Sequence, residues 1–335
     1  MNRPPSQPCV SVRAVDCSQI ADWSRAVGWD IEYQQISRGT FDAWFCVASC
    51  QELRLTNQWC NREMVICGCP PRDMLAMVLP SGRDHLGVYE GRTLGRYDAV
   101  GLFPGDGRVL CSPPGFRTCT VSIPRARFEA ALWHHARYDL SARLPESQPF
   151  ALSPKRLHKL AATICSLAGG KPRPVGRAAI VELEDRILQQ LALGLCEAQG
   201  DLEQPRRRGD RAEYVRRARD YIEAHLEQAM PLSQVAAHAG VSTRTLELSF
   251  RNVIGTTPTA YIRTRRLNKA RRRLLEEGRM AGTLAELALE HGLFHFGRFS
   301  RDYRALFGEL PSETRRRSYP VHRSPGKPGA PNRHP

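Results

Sequence analysis

Two short segments near the end of the 335-residue chain carry side chains suited to reading the edges of base pairs. In the first, Leu246 and Phe250 stand four apart and take the buried side of a helix. That leaves Arg244, Thr245, Glu247, Leu248 and Arg251 facing outward. Arginine can pair bidentately with guanine, glutamate can accept from cytosine N4, and leucine can touch a thymine methyl. Glu247 has a competing role as a surface partner of Arg244 or Arg251. In the second segment Phe299, Tyr303 and Phe307 form an i, i+4, i+8 stripe, which reads as core rather than as a stacking platform. Its outward face holds Phe296, Gly297, Ser300, Arg301 and Arg304, with Arg301 the leading candidate for a base contact. Phe296 either meets a thymine methyl or packs on the neighbouring turn. Arg251, Arg263, Arg298 and Arg304 are the candidates for phosphate contact.

The elements that must position these groups are a duplication around one long basic helix. Leu232 matches Leu284 and Gly240 matches Gly292 at an offset of 52; Phe250 matches Tyr303, Gly255 matches Gly308 and Pro258 matches Pro311 at 53. The extra residue falls between the glycine and the aromatic, where a turn absorbs it. Each copy reads as a short helix, a glycine turn and a second helix: helix-turn-helix units at 232–254 and 284–307. Between them, Thr257 can cap a helix, Pro258 suits its first position and Gly278 offers a left-handed stop. Inside it Ile262, Arg266, Ala270 and Leu274 recur every four residues; Arg263, Arg265, Lys269, Arg271, Arg272 and Arg273 read as its solvated surface. Arg266, within the stripe, reads as the structural partner of an acidic residue.

The charge follows the duplication. Of the formal +15, residues 211–318 hold 20 Arg/Lys against 12 Asp/Glu, whereas residues 1–199 hold 23 against 19. Positive charge is therefore densest where the paired helices lie, as contact with a polyanion requires. No apolar run approaches the ~18 residues of a membrane span, and the N-terminus lacks a signal-peptide apolar core. The expectation is a soluble, cytoplasmic protein with no membrane partner. All eleven cysteines precede residue 200 and read as mostly free, buried thiols rather than a disulfide framework.

The front half reads as strands and then helices. From about Trp23 to Ile123, apolar runs at 64–67, 74–79 and 99–103 alternate with Pro/Gly turns. Residues 117–123 alternate cleanly, putting Cys119, Val121 and Ile123 on one face. Helices are predicted over 124–136, 153–167, 177–198 and 214–228. The stripe Ile180, Leu183, Ile187, Leu191, Leu195 is buried either in its own β domain or against a second subunit. The expected class is α+β: a β-rich, cupin-like sandwich or barrel with flanking helices, then an all-α tandem helix-turn-helix domain. The divisions are a disordered 1–10, an effector-sensing or dimerisation domain 11–199, a linker 200–210, a DNA-binding domain 211–318 and a disordered basic tail 319–335.

Residues 211–318 resemble the DNA-binding region of the AraC/XylS family of bacterial transcription regulators. Ala288, Gly292, Phe299, Tyr303, Phe307, Gly308 and Pro311 stand at that family's signature spacing, with Leu293 where an aromatic is usual. The run GLFHFGRFSRDYRALFGELPSE is similar to the ethanolamine-operon regulator subgroup, as are Tyr33-Gln34, Gly39-x-Phe41 and Asn57-Gln58. The resemblance implies that one protomer grips two successive major-groove segments, with Arg244, Glu247 and Leu248 at base-reading positions. It also implies an activator that contacts RNA polymerase at double-stranded promoter DNA, with a homodimer as one arrangement. A small-molecule effector, for this subgroup a small amine, is implied in the front domain, where Trp44, Trp59, His85 and Tyr89 are candidate pocket residues against a core-packing alternative.

No catalytic set, metal site or cofactor is expected. Cys46-x3-Cys50 fits half of an Ada-like alkyl-transfer zinc pattern, but Cys67-x-Cys69 fails the other half. His134-His135 fall on a predicted helix and His85 is alone on the strands, so a cupin-type metal set is missing. An architectural DNA-binding protein would have no use for some 200 residues of separate β-rich chain.

Overall fold

The computed structural model describes residues 10–82, 85–105, 107–138, 147–168, 177–198 and 210–317. The expected linker 200–210 lies outside these residues except for Asp210, which opens a helix, and the expected tail 319–335 lies wholly outside. Of the expected disordered segment 1–10, only Val10 is described, and it opens the first strand.

The front half runs β1 (Val10–Ala14), α1 (Cys17–Ala26), β2 (Asp30–Gln35), β3 (Ala43–Ser49), β4 (Arg54–Cys60), β5 (Met64–Cys69) and β6 (Met74–Pro80). It continues with β7 (Val88–Tyr89), β8 (Arg92–Thr93), β9 (Asp98–Leu102), β10 (Arg108–Ser112), β11 (Arg117–Pro124) and β12 (Gln148–Ala151). Helices α2 (Arg125–Ala136), α3 (Pro154–Leu167) and α4 (Arg177–Glu197) flank the strands. Two expectations change: Trp23 lies on α1 rather than at a strand start, and β1 precedes it. Asp16 caps α1 by accepting from the Ser18 N–H at 2.8 Å, a helix start the strand-rich reading passed over.

Among the described residues the strands form two antiparallel sheets, ordered β1-β3-β4-β11-β6-β9-β12 and β2-β5-β10-β7-β8. The period-two alternation decides what each face meets. On β11, Cys119, Val121 and Ile123 enter a core closed by α2, α3 and α4, as their alternation predicts. The α4 residues Ile187, Leu191 and Leu195 are buried in that same core, so this part of the stripe is covered by its own domain, while Ile180 and Leu183 are half-buried. Each such side chain contributes roughly 1.5–3 kcal/mol relative to exposure.

The opposite faces of the two sheets meet in a second core that includes Phe45, Ile66, Val78, Tyr89, Val100 and Phe116. The outer face of the five-stranded sheet is covered by the helical third of the chain: Val65 and Val109 pack with Val215, Ile222, Phe250 and Tyr261. At Gly68 on β5 an added Cβ would lie 2.3 Å from the Asp30 carbonyl and 2.6 Å from the Ile31 Cα. Gly68→Ala is expected to push β2 off β5 and cost about 1–3 kcal/mol, read as a lower urea midpoint.

Among the described residues nine cysteines are free thiols and Cys46 is disulfide-bonded. Burial pushes Cys60 and Cys111 up to about 12, the behaviour of packed rather than reactive thiols.

Candidate nucleic-acid interface

The C-terminal third runs α5 (Asp210–Ala224), α6 (Leu232–Ala239), α7 (Thr243–Val253), α8 (Pro258–Glu277), a short 3-10 turn (Gly278–Ala281), α9 (Leu284–Glu290), α10 (Phe296–Phe307) and α11 (Pro311–Arg316). The expected helix over 214–228 starts and stops four residues earlier. In the first lobe, Gly240 at φ +74° makes the turn between α6 and α7. The Ser242 hydroxyl then accepts from the Thr245 N–H at 3.1 Å and starts α7. In the second lobe, Thr283 and Glu286 form the expected capping box on α9. Gly292 makes the turn at φ +68°, and Gly308 ends α10 at φ +76°.

The long helix α8 is built as its ends predict. Thr257 accepts from the Ala260 N–H at 3.2 Å, Pro258 follows, and Gly278 ends the helix at φ +55°. Tyr261 and Ile262 near its start belong to the first lobe's core. Leu267, Ala270 and Leu274 belong to the second lobe's core, with Phe299, Tyr303 and Phe307. One rigid element thus holds both lobes, and its 20 residues span about 30 Å. Between the lobes lies a cleft of about 250 Å³ lined in part by Arg263, Arg266, His295 and Arg298.

The recognition helices keep the expected division of faces. Leu246 and Phe250 are wholly buried, while Arg244, Leu248 and Arg251 are exposed and Thr245 and Glu247 half-buried. On α10, Phe299, Tyr303 and Phe307 are buried; Phe296, Gly297, Arg301 and Arg304 are exposed and Ser300 is half-buried. Phe296 leans on Phe299, ring centroids 6.1 Å apart, and is still 47% exposed, so it packs on the neighbouring turn and keeps an open face. Arg263 and Arg298 each lie 3.6 Å from Asp302, so that carboxylate offsets part of their charge. Arg251 and Arg304 are the more openly presented phosphate candidates.

Three arginines of α8 depart from expectation. Arg265 and Arg271 are buried rather than solvated, and both face the β-rich half. Arg265 reaches Glu223 and Glu32 at 2.6 Å each; Arg271 reaches Asp16 at 2.5 Å and Glu309 at 2.6 Å. Alongside them, Asn268 donates to the Gln35 carbonyl at 3.1 Å, and Gln35 donates to the Leu306 carbonyl at 2.9 Å. Arg266 has no acidic partner among the described residues, where one was expected: it donates to the backbone carbonyls of Leu226, Gly292 and Gln228. It therefore satisfies a loop and the second lobe's turn, tying both to α8.

Of the pocket candidates, Tyr89 alone lines the cavity between the sheets, which is about 80 Å³. Trp44 and Trp59 are cross-strand partners whose shared face is the one turned to α2–α4, one residue out of phase with Gln58. Trp44 donates instead to the Ser11 hydroxyl at 2.6 Å. His85 is exposed, and its Nδ1 accepts from the Gly87 N–H at 3.0 Å. Lining residues outside the four pocket candidates include Tyr33, Gln58, Thr118 and Arg108. Strand parity around Gln58 was the signal available for finding them.

Comparison with known proteins agrees with this geometry. A helix-turn-helix domain family model matches residues 235–317. The XylDLEGF operon transcriptional activator 3 of Pseudomonas putida is 44% identical over 97 residues, covering 29% of each chain. A Rhodococcus erythropolis protein named "Probable thc operon regulatory protein" is 42% identical over 99 residues, covering 30% of each chain. The chain thus spans about 30% of the length of these curated relatives. A solved transcriptional regulator with an AraC-type DNA-binding domain, from Chromobacterium violaceum, is 30% identical at a TM-score of 0.30, covering 34% of this chain and 95% of that one. Among the described residues no helix is long and apolar enough to cross a membrane. With two lobes joined by one helix and a family match across them, residues 235–317 are a helix-turn-helix domain.

Proposed function

We propose that this chain is a sequence-specific DNA-binding transcription regulator, an activator, controlled by a small-molecule effector held in its β-rich half. The observation that carries the reading is the rigid sharing of α8 by two helix-turn-helix lobes, each with exposed arginine on its recognition helix. The length of α8, about 30 Å, is close to the ~34 Å of one duplex turn, so each lobe reads one of two successive major-groove segments. In this reading Arg244, Thr245, Glu247 and Leu248 face one segment and Phe296, Gly297, Ser300 and Arg301 the other. Arg251, Arg263, Arg298 and Arg304 hold the phosphates. Residues 11–199 sense the effector or dimerise, 211–318 bind promoter DNA, and the complex recruits RNA polymerase inside the cell. Within this class, the resemblance of the run Gly292–Glu313 favours the ethanolamine-operon regulator subgroup.

The test is a comparison of affinity for the chain's own promoter and for random DNA at two salt concentrations. A regulator holds at least about 10³-fold discrimination, with a salt slope near 0.9 per phosphate contacted. Near-equal affinities would instead describe an architectural DNA-binding protein. Arg251→Ala is expected to weaken binding to every sequence alike and to lower the salt slope by about one, read by fluorescence anisotropy.

A further inference from the structure

The cavity between the two sheets carries one mark of a ligand site besides its shape. Gln58 is 5% exposed and lines the cavity, and its Nε2 has no hydrogen-bond partner. Its Oε1 accepts from the Tyr33 hydroxyl at 3.4 Å, which leaves the amide N–H₂ as the group that is unmet. A buried donor without an acceptor is costly, and an incoming acceptor recovers that cost. The remaining walls are largely apolar, including Trp29, Phe45, Ile66, Val100 and Leu110. Arg108 also lines the cavity, 3.8 Å from Glu90. No Asp or Glu is among the described lining residues. At about 80 Å³ the space admits roughly half a dozen water-sized groups, each needing about 10–15 Å³.

We propose that this cavity binds a compact apolar molecule bearing a carboxylate or carbonyl oxygen, which accepts from Gln58 Nε2. A small ammonium compound does not fit, because nothing acidic lines the walls to replace its water. That runs against the amine which the subgroup resemblance implies.

The same sheet that forms one wall also carries the DNA-binding half, and alternate residues of each strand serve the two faces. On β2, Ile31 and Tyr33 line the cavity while Glu32 pairs with Arg265. On β10, Arg108 and Leu110 line the cavity while Val109 packs with the first lobe and the Cys111 thiol donates to the Val253 carbonyl at 3.3 Å. A ligand that shifts these strands therefore shifts the surface on which the reading lobe sits. This step rests on the regulator reading given above.

The experiment uses the full chain and four probes on one ring: cyclopentanecarboxylate, cyclopentanecarboxamide, cyclopentylmethylamine and methylcyclopentane. Binding is read without DNA, by isothermal titration and by thermal shift. The carboxylate and the amide are expected to bind the wild-type chain at least about tenfold more tightly than the amine or the bare hydrocarbon. The preference between the first two tells whether the ligand oxygen is charged. Gln58→Leu is expected to lose that tenfold preference and Gln58→Asn to recover part of it. Each variant's ligand-free unfolding transition serves as the folding control. Equal binding of the amine, binding unchanged in a folded Gln58→Leu chain, or no binding by any of the four probes overturns the proposal. Because this readout contains no DNA, such a failure leaves the promoter-discrimination test standing on its own.

Discussion

Replacing Arg271 with methionine is expected to lower the unfolding free energy by about 3–5 kcal/mol, read as a fall in the urea midpoint at unchanged slope. The guanidinium is 5% exposed and has partners ahead of α1, on α10, on α11 and between those two helices. Its Nε donates to Asp16 at 2.5 Å, just ahead of α1. Its Nη1 donates to Glu309 at 2.6 Å, to Thr314 at 3.3 Å and to the Tyr303 hydroxyl at 3.4 Å. It also sits 4.6 Å from the Phe307 ring centroid. Burial alone pulls this arginine's pKa down, yet Asp16 and Tyr303 hold it above its ordinary value, so it stays charged. Methionine fills much of the volume but leaves the Asp16 carboxylate buried without its cation, while Glu309 keeps its ion pair with Arg317. That desolvation, rather than lost attraction, sets the size of the effect.

A companion variant separates the two contributions. Adding Asp16→Asn to Arg271→Met removes one stranded charge, so the double variant should be less destabilised than the sum of the single changes. Asp16 also caps α1 through Ser18, and the asparagine keeps a capping oxygen there. Strict additivity would mean that Asp16 and Arg271 do not act as a pair, and that the β-rich half is held on α8 by other contacts.

This network also shows where sequence reading stops. The duplication was legible because glycine, proline and aromatic positions repeat at nearly constant offset, and turns and caps depend on local residues alone. The stripe on α8 was legible in its apolar members for the same reason. Arg265 and Arg271 were not, because an arginine off the apolar stripe looks the same whether it meets water or a carboxylate on another domain. Their partners, Glu32 and Asp16, lie more than 230 residues away in the chain. Arg266 was legible as structural but not in its partners, since backbone carbonyls carry no sequence signature. In the β-rich half, the alternation of Cys119, Val121 and Ile123 held because one face is dry and the other lines a cavity. Trp44 and Trp59 failed as pocket residues for the complementary reason. Aromatic size says nothing about which side of the sheet a residue occupies, and a one-residue change of parity moves it to the other face.

Arg244→Ala and Arg301→Ala should each cost about 1–3 kcal/mol of specific DNA binding, and each should relax specificity at a single base position. Both side chains are exposed on recognition helices whose buried faces are fixed by Leu246 and Phe250, and by Phe299 and Tyr303. Neither contributes to those cores, so folding should be unaffected and the loss should appear in binding alone. The lobes share α8 but have separate hydrophobic clusters. The double variant should therefore lose about the sum of the two, roughly 2–6 kcal/mol, as distant independent sites do. The relaxed positions should lie about 10 base pairs apart, one turn of the duplex, because a helix near 30 Å long keeps the two reading heads at that spacing. The measurement is a binding-site selection on wild type and both single variants, followed by affinities for the selected sites. Relaxation of both variants at one shared position, or no positional effect from Arg301→Ala, would show that a single lobe reads DNA. The second lobe would then serve only to hold the first one in place.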